Sequence, residues 1–211
     1  MPREHLLHKV RTALGRSAGQ EPASAPPARL LVPEVDSAAR LTAFLERVEA
    51  LAGRARHVDS PAEAREYVAG LVGSRTAVAS NAPFLAECGI TELPGVRTGV
   101  TDREELRRLC ATADFGITSA DFALADTGTL VMLSSPQEAR MVSLLPPVHI
   151  AVVPRERILT GLDELFTLLP DPSSATSSMV LITGPSRTAD IEQILVRGVH
   201  GPGEIHVVIV G

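Results

Sequence analysis

The chain has few of the side chains that hold common cofactors and metal ions. It contains two cysteines, Cys88 and Cys110, and no Cys-x-x-Cys pair, so we expect no thiolate-bound zinc and no iron–sulfur cluster in this chain. Its single lysine, Lys9, lies in the amino-terminal segment. The sequence therefore argues against a Walker A phosphate loop and a core Schiff-base lysine, and so against ATPases and pyridoxal-phosphate enzymes.

Other common signatures are missing as well. No H-E-x-x-H, G-x-S-x-G, G-x-G-x-x-G or EF-hand pattern occurs, so a zinc protease, a hydrolase elbow, a dinucleotide site and a calcium site are not expected. The net charge is −5 and no basic block occurs, which argues against nucleic-acid binding. No apolar run approaches the roughly 20 residues of a membrane span, and the amino terminus lacks the apolar core of a secretory signal. We expect a cytoplasmic protein.

Composition divides the chain into two parts. Leu6, Leu7, Val10 and Leu14 form one face of a short amphipathic helix, and the alanine, serine and proline of residues 17–29 indicate a linker. We therefore expect a helical arm with its linker over residues 1–30 and one domain over residues 31–211. The arm is either mobile or docked on a partner, and a homo-oligomer is compatible with both arrangements.

The rest of the chain alternates between helical and strand patterns. Helices are predicted at residues 36–53, after the capping signals at Ser60 and Thr101, and at residues 162–169 and 189–196. Apolar runs predict strands at residues 54–58, 76–80, 115–118, 129–134, 148–153, 179–183 and 205–210. Because these strands are apolar on both faces, we expect an α/β fold with a mainly parallel sheet covered by helices on both faces.

A first polar cluster follows the third predicted strand. Thr118 or Ser119 can cap a short helix, and Thr127, Gly128 and Thr129 turn the chain into the next strand. The hydroxyls and amides of this cluster either line a small anion site or only cap the helix and form the turn.

A second polar cluster, residues 183–202, connects the last two predicted strands. Gly184 breaks the first of these strands, and Ser186, Arg187 and Thr188 supply hydrogen-bond donors. A helix predicted to begin at Ala189 would direct its amino-terminal amides towards an anion.

The charged and ionisable residues of this cluster allow two interpretations each. Arg187 either binds a carboxylate or phosphate through both arms of its guanidinium, or forms an ion pair with Asp190 or Glu192. His200 either transfers protons or hydrogen-bonds the backbone of its Gly/Pro turn. His149 lies among valines in a strand and is expected to be a core residue rather than a ligand.

Four stretches, in this order, resemble the LUD-domain family, and within it the lactate-utilization protein C type. They are residues 118–129 (TSADFALADTGT), 143–150 (SLLPPVHI), 183–192 (TGPSRTADIE) and 198–202 (GVHGP). The close match extends from about residue 114 to the end of the sequence.

The resemblance implies an α/β domain related to the sugar-phosphate isomerase and CoA-transferase superfamily. It also implies a part in the oxidation of L-lactate to pyruvate alongside partner proteins that carry iron–sulfur clusters. This chain is then the companion subunit without clusters, which binds a small carboxylate, completes a partner's site or assembles the complex. On this interpretation it need not be catalytic alone.

The resemblance also implies roles for individual residues. Arg187 is expected to hold the substrate carboxylate, and His200 and Asp121 are the candidates for proton transfer. The anion would be surrounded by the small residues of both clusters: Thr127, Gly128, Thr129, Gly184, Ser186 and Thr188.

Two other functional classes stay open. A stand-alone isomerase could use Asp121 or Asp126 as its base. Covalent CoA transfer is disfavoured because no glutamate lies between Asp114 and Ser135, where the first cluster would present one. The third class is a non-catalytic assembly protein.

Overall fold

The structure, a computed structural model, describes residues 3–20, 30–188 and 196–211 of the chain. Its helices are α1 (Arg3–Ala13), α2 (Ser37–Ala50), α3 (Pro61–Val72), α4 (Pro83–Glu87), α5 (Arg103–Thr112), α6 (Arg140–Leu144), α7 (Leu162–Leu168) and α8 (Pro172–Ala175), with 3-10 turns at Ile90–Glu92 and Arg155–Arg157. Its strands are β1 (Arg54–Val58), β2 (Ala77–Ala79), β3 (Val96–Arg97), β4 (Phe115–Ser119), β5 (Phe122–Leu124), β6 (Thr129–Leu133), β7 (Val148–Pro154), β8 (Ile158–Leu159), β9 (Met179–Ile182), β10 (Arg187–Thr188), β11 (Val196–Arg197) and β12 (Glu204–Val210).

Six of these strands form one sheet in the order β1-β12-β7-β4-β2-β3. Every neighbouring pair in this sheet is parallel, which confirms the expected mainly parallel α/β fold. The chain passes from β2 outward to the edge strand β3 and then returns to β4 on the other side of β2. The neighbours β2 and β4 therefore flank a topological switch point, where parallel α/β proteins tend to place binding sites.

Helices cover both faces of this sheet, as expected. On one face, α3 and α4 bury Val68 and Leu85 against the strands. On the other face, α2 buries Phe44, and α5 and α6 bury Leu106 and Val142. The buried strands were recognisable in sequence because apolar residues have to fill both of these interfaces.

A second, smaller sheet packs on one face of the first and differs from the prediction. Its order is β8-β5-β6-β9, with β6 antiparallel to both β5 and β9. The prediction of a short helix after Thr118 or Ser119 was wrong, because residues 122–124 form strand β5. Ala123 and Leu124 are both buried, in different apolar clusters, and an extended strand allows this burial on its two faces.

The helix boundaries follow the capping residues closely. The side chains of Asp36 and Ser60 accept hydrogen bonds from the amides of Ala39 (2.8 Å) and Glu63 (3.3 Å) at the start of α2 and α3. Helix α5 begins one residue later than predicted, because Asp102 rather than Thr101 is its cap.

Two of the predicted segments lie largely outside the described residues. They are the linker, of which residues 21–29 are not described, and the last predicted helix, of which residues 189–195 are not described. The final residue of that predicted helix, Val196, begins strand β11.

Gly116 permits the close approach of α6 to the sheet. A Cβ atom at this position would lie 1.9 Å from the carbonyl oxygen of Val142 in α6. This separation is far below van der Waals contact, and the atom it meets belongs to the backbone, so the helix itself would have to move.

We therefore expect Gly116→Ala to lower the free energy of unfolding by about 3 kcal/mol, the cost typical of overpacking a core. The matched control is Gly70→Ala in α3, where an added Cβ meets no atom within 4 Å. That change should raise the unfolding free energy by about 0.5 to 1 kcal/mol, because alanine favours a helix interior. Urea denaturation measures both values, and equal stability of Gly116→Ala and the parent protein would contradict the packing described.

Candidate functional site

Two clefts lie at opposite edges of the parallel sheet. The carboxyl-edge cleft, of about 540 Å³, lies where β2, β4 and β7 end, and its lining includes Phe84, Glu87, Ser119, Asp121, Glu138, Glu156 and Arg157. The amino-edge cleft, of about 460 Å³, lies where β7 and β12 begin, and its lining includes Arg140, Leu144, Gly184, Ser186, Arg187, His200 and Pro202.

The amino-edge cleft brings together four of the residues proposed from the sequence, namely Gly184, Ser186, Arg187 and His200. The Ser186 amide donates to the carbonyl of Pro202 (2.9 Å), and the Ser186 hydroxyl accepts from the His200 amide (3.2 Å). These bonds fix the segment before β10 to the loop before β12. The residues therefore share one wall although more than ten positions separate them in the chain.

The local structure around Arg187 differs from the expected helix start. Arg187 and Thr188 form strand β10, and in the antiparallel ladder with β11 Arg187 faces Arg197. The guanidinium of Arg187 donates a hydrogen bond to the carbonyl of Leu51, just after α2. The alternative ion pairs with Asp190 and Glu192 lie outside the described residues.

The amino-edge cleft is suited to an anion. Its lining contains two arginines, Arg140 and Arg187, together with His200, and no aspartate or glutamate among the described residues. Apolar side chains, including Leu144 and Ile182, form much of the remaining wall and exclude part of the solvent. A charge-assisted hydrogen bond to a carboxylate is therefore favourable here.

The turn at Thr127–Thr129 touches this region but does not line the cleft. The hydroxyl of Thr129 lies 2.8 Å from that of Thr183 and donates to that of Thr127 (2.9 Å), which in turn donates to Asp126 (3.1 Å). The two polar clusters thus meet at the pair Thr129–Thr183. The hydroxyls of the turn thus bond to one another, to Asp126 and to Thr183. Thr188 does not line the cleft either.

Asp121, the other candidate for proton transfer, lies in the carboxyl-edge cleft rather than beside His200. It follows the carboxyl end of β4, and its Oδ2 accepts a hydrogen bond from the Leu133 amide at 2.7 Å. The loop with His200 precedes the amino end of β12, and strands of this length span about 20 Å. Asp121 and His200 therefore cannot act on the same reacting atoms.

Glu138 is the functional candidate that sequence reasoning missed. Its side chain is only 6% exposed although Ser135–Gln137 before it are exposed. Its Oε2 accepts from the Ser80 hydroxyl (2.7 Å) and from the Ser119 amide (3.4 Å), so it bridges the ends of β2 and β4 at the switch point. Its Oε1 is buried and has no hydrogen-bond partner among the described residues.

Burial in the carboxyl-edge cleft changes the acidity of two groups. It raises the pKa of Glu138 to about 8, and the hydrogen bonds from Ser80 and Ser119 offset only part of this shift. Burial also raises the pKa of Asp121, against the opposing effects of the Leu133 amide and the Arg157 guanidinium. Near neutral pH Glu138 is thus largely a neutral carboxylic acid that can donate or release a proton.

The remaining ionisable core residues line neither of these clefts. His149 is fully buried, its Nε2 lies 2.8 Å from the hydroxyl of Thr118, and burial lowers its pKa to about 4, as for a neutral core histidine. Cys88 and Cys110 are buried in different clusters, and burial raises the pKa of both thiols to about 11. Within the described ranges, no group of three His, Cys, Asp or Glu residues is placed to hold a metal ion.

The described part of the chain also contains no helix that is long and apolar enough to span a membrane.

The parallel sheet, its covering helices and the smaller sheet define an α/β protein with a cleft at each strand edge. The chain belongs to the LUD-domain family, whose model matches residues 41–210. Its fold is similar to that in the crystal structure of a DUF162 family protein from Deinococcus radiodurans, with a TM-score of 0.64 and 22% sequence identity over 84% of this chain and 100% of that one.

Several curated relatives carry the name lactate utilization protein C. The protein from Halalkalibacterium halodurans is 37% identical over 69% of this chain and 66% of its own length. Those from Bacillus mycoides and Bacillus subtilis are 41% and 40% identical, over 49% and 47% of this chain. The matched region spans about half the length of the latter two relatives, 46% and 43%.

The high pKa of Glu138 predicts a specific dependence of stability on pH. Between its ordinary value of 4.5 and about 8, the folded protein holds a proton that the unfolded chain releases, so stability is lost as pH rises through this window. Glu138→Gln removes this contribution. As the pH rises through the window, the free energy of unfolding of the variant should therefore increase relative to that of the parent by up to about 1.4 kcal/mol per pH unit.

Urea denaturation of the two proteins across this pH range measures the difference. Glu49→Gln, at an exposed position of α2, is the control and should follow the parent curve. Parallel curves for Glu138→Gln and the parent would show that the carboxyl is already ionised in the folded state.

Proposed function

We propose that this chain acts in lactate utilization and that its amino-edge cleft binds a small carboxylate, L-lactate or pyruvate. The observation that carries the proposal is the lining of this cleft, which has two arginines and a histidine and no acidic residue among those described. The names of the curated relatives supply the metabolic context.

Arg187 is the main candidate for the carboxylate contact. Its hydrogen bond to the Leu51 carbonyl holds the guanidinium at the cleft before a ligand arrives. An arginine held in this way loses less conformational freedom on binding and retains further N–H donors for a carboxylate. Arg140 adds a second positive charge to the wall, and the Ser186 hydroxyl adds a polar group.

His200 is the candidate for proton exchange with the hydroxyl group of lactate. It is exposed in the amino-edge cleft, and its backbone amide is fixed to Ser186. An imidazole is suited to exchanging a proton near neutral pH.

Oxidation of lactate to pyruvate removes two electrons and two protons. The sequence has no cysteine pattern for an iron–sulfur cluster. We therefore assign electron acceptance to iron–sulfur partner proteins, and carboxylate binding to this chain as their companion subunit.

A stand-alone isomerase or acyl transferase is the second candidate. It is favoured by the presence of Asp121 and Glu138 in one cleft, because a carboxylate and a carboxylic acid can work as base and acid. No glutamate lies between residues 114 and 135, but Glu138, just beyond this range, supplies one to the cleft. Phosphorylated substrates, however, would meet Glu87 and Glu156 at the same cleft, and like charges disfavour them.

The proposal predicts that a strain lacking the gene fails to grow on L-lactate as sole carbon source but grows on glucose. The parent gene should restore growth, Arg187→Ala should not, and Arg197→Ala should. Arg197 is the matched control because it faces Arg187 across the β10–β11 ladder, is exposed and does not line the cleft. Normal growth of the deletion strain on L-lactate, without a second LUD protein, would contradict the proposal.

Calorimetry on the purified proteins separates ligand binding from assembly. Loss of the Arg187 contact should weaken L-lactate binding at least about tenfold, as expected for a charge-assisted hydrogen bond. Arg197→Ala should bind as the parent does. If folded Arg187→Ala binds lactate normally yet fails in the growth assay, the chain acts in assembly rather than as the carboxylate-binding subunit.

A further inference from the structure

The carboxyl-edge cleft has features of a second ligand site that the proposed function does not use. Glu138 is 6% exposed, lines this cleft, and keeps one buried carboxyl oxygen without a hydrogen-bond partner among the described residues. Its other oxygen is fixed by Ser80 and Ser119. Leaving a buried polar atom unpaired costs about 1 to 3 kcal/mol, so a ligand that pairs with it gains that energy.

The charges around Glu138 determine which kind of ligand can pair with its buried oxygen. A protonated Glu138 would donate to an acceptor, whereas an ionised Glu138 would accept from a donor. The ionisable groups that line the cleft around it are Glu87 from α4, Asp121 after β4, and Glu156 and Arg157 after β7. Three acids against one arginine repel an anionic acceptor and attract a cationic donor.

Other features of the cleft favour an organic cation over a metal ion. Within the described ranges no three metal-ligating side chains lie close enough together to hold a metal ion, although four carboxyl groups line the cleft. The volume of about 540 Å³ is in the range of sites for organic ligands. Phe84 contributes an aromatic side chain to the wall, a group that attracts ammonium and guanidinium ions.

We propose that the carboxyl-edge cleft binds an organic cation, an ammonium or guanidinium group, through Asp121 and Glu138. This site is independent of the carboxylate site at the amino edge. The same cationic group can belong to a free amine or to an arginine or lysine side chain of a bound polypeptide.

Binding of such a cation is coupled to the release of a proton. Glu138 carries a proton near neutral pH, and a cationic donor at its Oε1 favours the ionised form. At most one proton leaves for each cation bound. Affinity therefore rises by up to about tenfold per pH unit below about pH 8 and levels off above it.

Calorimetric titration with agmatine, which carries a guanidinium and an ammonium group, tests this proposal. We expect saturable binding, proton release measured in buffers of different ionisation enthalpy, and an affinity that increases from about pH 6 to about pH 8. Glu138→Gln should bind at least about tenfold more weakly and lose the pH dependence. Glu49→Gln should behave like the parent, and Asp121→Asn should weaken binding because it removes one of the acidic groups of the cleft.

Three further titrations define the site. A Gly-Arg-Gly amide peptide that binds at least tenfold more tightly than agmatine would assign the site to a polypeptide side chain, and the reverse order to a free amine. Magnesium chloride titrated alone should not bind, and Glu138-dependent binding of magnesium would overturn the proposal in favour of a metal site. Absence of agmatine binding, or an unchanged pH dependence in Glu138→Gln, would also overturn the proposal. L-lactate binding should be the same in Glu138→Gln and the parent, so failure at this cleft is distinguishable from failure of the proposed function.

Discussion

The common direction of the six strands in the main sheet is the constraint on which the rest of the molecule depends. Because every pair is parallel, all carboxyl ends lie at one edge and all amino ends at the other. Polar segments that follow strands are thereby separated from polar segments that precede them. Asp121 and Glu138 are placed at one edge, Arg187 and His200 at the other, and the two clefts have opposite charge.

Helix α2 and the smaller sheet hold the amino-edge cleft in place. The carboxyl end of α2 receives the Arg187 guanidinium at the carbonyl of Leu51. Gly128 lies against the same helix, where a Cβ atom would come within 2.9 Å of the Arg47 backbone. The hairpin turn and the segment after β9 meet at Thr129 and Thr183. Gly128 and Thr129, predicted from the sequence to bind an anion, thus pack against α2 and the segment after β9.

The fold class could be predicted from the sequence because strands that are buried on both faces consist of continuous runs of apolar residues. The sequence was also sufficient to place Ser186, Arg187 and His200 near one another, since their segment links two such strands. It was not sufficient for Glu138, whose loop shows no periodicity, because the order of β2 and β4 in the sheet is what makes its position significant. The short strand β5 was mistaken for a helix start because Ser and Thr before an apolar run occur at both kinds of boundary.

The opposite charges at the two edges of the parallel sheet predict separate sites of opposite charge preference. Titration of isotope-labelled protein with L-lactate, followed by amide chemical shifts, tests this prediction most directly. We expect the shift changes to concentrate around Ser186, Arg187 and His200, while the amide signals of Ser119, Asp121 and Glu138 keep their positions. Lactate-induced shifts concentrated at Ser119, Asp121 and Glu138 would contradict it and would place the carboxylate site at the carboxyl edge.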